Sequence, residues 1–142
     1  MSREKRPIAI LDHAKTRHDA VFVLHGEEPG RPDLVRLVLE VAPHLLVERR
    51  AESYFDAMTE IRTEIEPAGW RLLCYGASRS VYPSGMSRDM GYGQHAYRHK
   101  TGEPARSRDI VDIFDVGDDV EVSTVEEQRA ANQAWLHSLR RG

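Results

Sequence analysis

Residues 33–46, DLVRLVLEVAPHLL, decide how this chain folds. Leu34, Leu37, Val38, Val41 and Leu45 are spaced 3, 1, 3 and 4 residues apart, the stripe by which a helix meets a core. Pro32 stands in the first turn, where a missing N–H costs nothing, and Pro43 ends or kinks the helix. The spacing therefore predicts a helix here. Upstream lie two short β-branched or aromatic runs, PIAIL (7–11) and AVFVLH (20–25), joined by a polar hairpin or short excursion. GEEPGRP separates them from the helix as a cluster of breakers.

Downstream, Tyr54, Met58, Ile61 and Ile65 recur at helical spacing, with Glu and Arg assigned to the opposite, solvated face and Pro67 and Gly69 as the stop. Arg49 and Arg50 fall between the two helices as solvated linker charge. WRLLCY (70–75) reads as a buried strand, and DIVDIFDV (109–116) as another. A last helix follows, with capping-box spacing at Ser123/Glu126 or Thr124/Glu127. Strands and helices do not alternate regularly. The order predicts a single α+β domain over residues 1–142, with a mixed or antiparallel sheet of about four to five strands and about three helices. Residues 1–6 read as a flexible N-terminus.

The chain has 142 residues, enough to bury about two-thirds of its unfolded surface without metal or disulfide. A net charge of −3 argues against a general nucleic-acid coat and against a membrane-surface protein. No apolar run approaches the roughly 20 residues that span a bilayer. The single cysteine, Cys74, excludes an internal disulfide, sits in an apolar strand, and fits a reducing, cytoplasmic location.

Residues 76–108 form a long segment rich in tyrosine, arginine, histidine and serine. A structureless loop of that length is improbable in a compact domain, so part of it should be ordered. Residues 86–100 allow a short helix with Met86, Met90 and Tyr97 inward, weakened by Gly91 and Gly93. Between 77 and 108 six Lys/Arg stand against two acids, whereas 109–127 carries eight acids and no Lys or Arg. Either the halves face each other within the fold, or each presents its field to a partner. In strand 109–116, alternation puts Ile110, Asp112, Phe114 and Val116 on one face. A partly buried Asp112 needs a cation, and Arg79 or, above all, Arg88 is the expected partner, pinning the long segment to the sheet.

Several chemistries can be set against these residues. Ser78 follows a strand as a nucleophile would, with His95 and Asp112 to complete a triad, but G-x-S-x-G is broken by Ser80. This is the hydrolase- or transferase-type alternative, with its site between 75–99 and 109–116. GYGQHA (91–96) matches a dinucleotide fingerprint by letter, without the apolar strand that must precede it. His95 and His99, four apart, would share a face of a helix and offer two metal ligands, without the H-E-x-x-H signature. Interleaved tyrosines and arginines also compose a nucleic-acid stacking platform, opposed by the acidic block beside it. No cofactor is expected.

Tyr and Arg are typical anchors of protein interfaces. The leading expectation is a small cytoplasmic protein-binding module, of the inhibitory or immunity type that bacteria keep against their own toxins. Tyr82, Arg79, Arg88, Tyr92, Tyr97 and Arg98 would supply anchors, and Asp115, Asp118 and Asp119 would meet a basic face of the partner protein.

Overall fold

Three tight hairpins link four antiparallel strands: β1 (Glu4–Leu11), β2 (Arg17–Glu28), β3 (Arg31–Val41) and β4 (Leu45–Ala51). The computed structural model describes residues 3–140, apart from the side chains of residues 88–90. In the first turn the Asp12 carboxylate accepts the amides of Ala14 and Thr16, both at 2.9 Å. In the second, Pro29 and Gly30 bridge paired Glu28 and Arg31, and Gly30 takes φ +81°, which only glycine adopts without strain. β1 takes in Glu4–Arg6, which the sequence alone assigns to a flexible terminus.

Residues 33–46 are not a helix. They complete β3, turn at 42–44 and enter β4. Val35, Leu37, Leu39 and Val41 are fully buried on the inner face, a period of two that overlaps the helical stripe at Leu37 and Val41. Ladder partners on both sides, from β2 and β4, and three β-branched valines decide the contest in favour of the strand. Arg49 and Arg50 accordingly lie on β4, where Arg50 meets Glu28 at 2.8 Å and Arg49 meets Glu64.

Helix α1 (Tyr54–Ile65), capped by Ser53 accepting the Asp56 amide at 3.0 Å, crosses the inner face of this sheet. It returns the chain to β5 (Arg71–Leu73), which pairs antiparallel to β1, giving the order β4-β3-β2-β1-β5. A second sheet follows from β6 (Val81–Tyr82), β7 (His95–Arg98) and β8 (Ile110–Asp112), in that order. Helix α2 (Gly85–Asp89) lies between β6 and β7, and α3 (Val125–Arg140) closes the chain. The fold is a single α+β domain: a curled five-stranded antiparallel sheet, a small three-stranded sheet, and three α-helices among the described residues, two of them substantial. No helix among the described residues is long and apolar enough to cross a membrane.

The two sheets share one core. Phe114 sets its ring edge-on to Phe22 (5.2 Å) and Tyr54 (5.8 Å). Strand β8 ends at Asp112, earlier than alternation predicts: Ile113 and Phe114 are both buried, and Val116 is exposed. The inner side of α1 is not wholly apolar either. Arg62, expected in solvent, is 1% exposed. Its guanidinium donates to Glu66 (3.1 Å), to the Gln128 side-chain oxygen (2.6 Å) and to the Ser123 carbonyl (3.0 Å). Gln128 in turn donates to the carbonyls of Gly76, Ser78 and Val81 at 2.8–3.0 Å. This buried polar hub fastens α3 and the start of the long segment to α1.

Candidate protein-binding surface

The ladder of the small sheet places Tyr82 opposite Tyr97, and Tyr97 opposite Ile110. Directly paired residues project to the same side, so these three form a row across one face. Tyr97 is the shared wall of two hollows. One, about 320 Å³, lies towards α2 and is lined by Met86, His95, Ala96 and Ile110 among others. The other, about 520 Å³, is a groove against α3, bounded by Tyr82, Pro83, His99, Pro104, Trp135 and Leu139. Met86 is 72% exposed and Ile110 43%, and Leu136 on the same flank of α3 is exposed too.

Local chemistry explains why this face stays open. Helix α2 is only five residues long, because Gly91 and Tyr92 turn left-handed at φ +59° and +55°. Met86, expected inward on a longer helix, is thereby left at the surface. On α3 only Val125 and Gln128 are buried, so Trp135 and Leu139 stand half covered beyond the hub. The Trp135 indole N–H donates to the Glu103 carbonyl at 2.8 Å, and its ring stacks on His99 at 5.1 Å. The α3 N-terminus uses the second of the two expected capping boxes: Thr124 N–H donates to Glu127 at 2.8 Å, and Glu127 N–H to the Thr124 hydroxyl at 3.1 Å.

Charge separates into paired and unpaired groups. Asp112 is partly buried and partnered, but by Arg6 of β1 at 2.9 Å, with Gln94 at 3.0 Å and the Phe114 amide at 2.9 Å. Arg6 also reaches Asp115. Of the cations expected for Asp112, Arg79 faces Glu127 at 3.8 Å, and the side chain of Arg88 lies outside the described residues, as do those of Asp89 and Met90. Asp119 accepts from the Tyr75 hydroxyl at 2.5 Å and from Arg98 at 2.9 Å. The Tyr75 hydrogen bond, then Arg98, holds the Asp119 carboxyl below its ordinary range. Tyr92 donates to Glu27. Asp118, Glu121 and Glu126 are exposed and make no side-chain ion pair or hydrogen bond among the described residues.

Of the residues of the catalytic alternative, the β7–β8 ladder sets His95 opposite Asp112. Ser78 is fully buried, its hydroxyl accepts the Glu121 amide at 2.9 Å, and no hydrogen bond joins it to His95, or His95 to Asp112, among the described residues. The acceptors of Asp112 are engaged as above. His95 lies on a strand rather than a helix, so four residues separate it from His99 by roughly 13 Å of extended chain, too far to share one ion. Among the described residues no cluster of three His, Cys, Asp or Glu side chains has the geometry of a metal site. Burial pushes the Cys74 thiol up to about 12, so it is a core residue rather than a nucleophile.

Of the anchors expected from sequence, the structure brings Tyr82 and Tyr97 together, and ties Arg98, Tyr92, Asp115 and Asp119 to partners within the chain. Met86, Ile110, Leu136 and Leu139 join this face without having been expected there. For Leu139 the signal was in α3: its inward stripe, Gln128, Asn132, Trp135 and Leu139, begins with two amides and so cannot be a simple core face. No protein-family model matches the chain, and no curated protein matches it.

Proposed function

We propose that this protein is a small cytoplasmic binding module that inhibits or neutralises a partner protein, as bacterial immunity proteins do. The observation that carries the reading is the Tyr82–Tyr97–Ile110 row, flanked on both sides by apolar hollows that the chain leaves open. Exposed apolar surface of this kind, aromatic at its centre and charged at its rim, is what contact surfaces offer. Asp118, Glu121 and Glu126 give the nearby surface an unneutralised negative field, which steers a partner with a basic face.

Affinity capture from the protein's own cells tests this, with wild type beside Ile110→Asp and Met86→Asp. Both positions are exposed, so both variants should fold, with unchanged circular dichroism. The expected result is one stoichiometric protein partner, bound at least about 30-fold more weakly by each variant. Undiminished capture by both variants would remove this face from the interface.

A further inference from the structure

We infer that the groove between α3 and the β6–β7 pair receives an extended, proline-containing segment of a partner protein, flanked by acidic residues. This rests on the protein-binding reading and assigns the ligand of one part of that surface. Tyr82, Tyr97 and Trp135 give the groove aromatic walls, and Leu139 and Pro83 keep it apolar. Rings so arranged suit proline, whose segments arrive already extended and lose little entropy on docking. Such a segment makes no hydrogen bonds of its own and needs donors for its carbonyls. Tyr97 and Asn132 line the groove, and neither side chain makes a hydrogen bond among the described residues. A β-strand is the poorer occupant: β6 is the edge nearest α3, but the Val81 carbonyl is already taken by Gln128 at 2.8 Å.

The sign of the flanks follows from the banks. Residues 99–109 and 128–140 carry five Lys/Arg and two acids, Glu103 and Asp109, in a chain whose net charge is −3. Lys100 and Arg108 are exposed, make no ion pair among the described residues, and line, with Arg98, Glu103 and Asp109, a small cleft that shares Pro104 with the groove. The two banks are thus net positive in an acidic protein, complementary to carboxylates on either side of an apolar core.

Three synthetic peptides with one proline–leucine core and acidic, neutral or basic flanks supply the probe. In a Trp70→Phe background Trp135 is the sole indole, and its emission reads occupancy. The acidic-flanked peptide should shift that emission and bind about tenfold or more tighter than the basic-flanked one, with the gap narrowing as salt rises. Leu139→Asp, at the groove margin, should abolish the shift while circular dichroism stays unchanged. No shift with any peptide, equal binding of acidic and basic flanks, or emission that depends on protein concentration without peptide would each overturn the inference, the last by placing a second copy in the groove. Should Leu139→Asp still capture in full the partner that Ile110→Asp loses, the groove assignment falls and the binding-module reading stands.

Discussion

Arg62 sits with its charge out of water, and everything it needs comes from elements distant in sequence: Gln128, Ser123 and Gly76, besides Glu66 one turn on. Breaking such a pair leaves uncompensated polar groups in the interior. Arg62→Met should therefore lower stability by about 3–5 kcal/mol in urea denaturation, and Arg62→Met with Gln128→Leu by less than the sum of the two single changes. His99 is the second residue with a measurable consequence. Burial lowers its pKa, opposed by Glu121, and its Nε2 is buried without a hydrogen-bond partner. The unfolded chain then binds a proton the folded one resists, so stability should fall as pH drops below about 6.5. His25, lowered by burial and then by Arg36, acts in the same direction. His99→Phe keeps the ring on Trp135 and should make the acid limb of the stability–pH curve shallower. Arg62 was half legible: it lies four residues after Met58 and three before Ile65, within the apolar stripe. Only its charge pointed to the solvent face, because its partner Gln128 is 66 residues away.

At the scale of elements, β3 shows how two periods compete. Over a short run, a helix and a strand can claim the same leucines and valines, and neighbours in space decide between them. Leu39 is fully buried on the inner face, whereas Leu46, inside the stretch that reads as one helix, is 74% exposed. Leu39→Ala should cost about 2–5 kcal/mol and Leu46→Ala within about 0.5 kcal/mol, measured by chemical denaturation. Similar costs at the two positions would contradict the register. Helix α1 was legible from its stripe and its stop, and α3 from its capping box. Strand β8 was legible within the run 109–116, but β6 and β7 were not, because two- to four-residue strands take their pattern from partners rather than from their own sequence.

For the molecule as a whole, the sequence shows the split between a basic segment and an acidic one but not its purpose. The structure shows which of these charges are paired within the chain. Arg98 with Asp119, Arg79 with Glu127, and Arg6 with Asp112 and Asp115 are charges used within the fold. Asp118, Glu121, Glu126, Lys100 and Arg108 are exposed and make no ion pair among the described residues. The most direct measurement is hydrogen–deuterium exchange on the captured complex against the free protein. The account predicts new protection at 82–86, 95–98, 110–112 and 132–139, with little change on β3 and β4. A footprint confined to the outer face of the five-stranded sheet would contradict it.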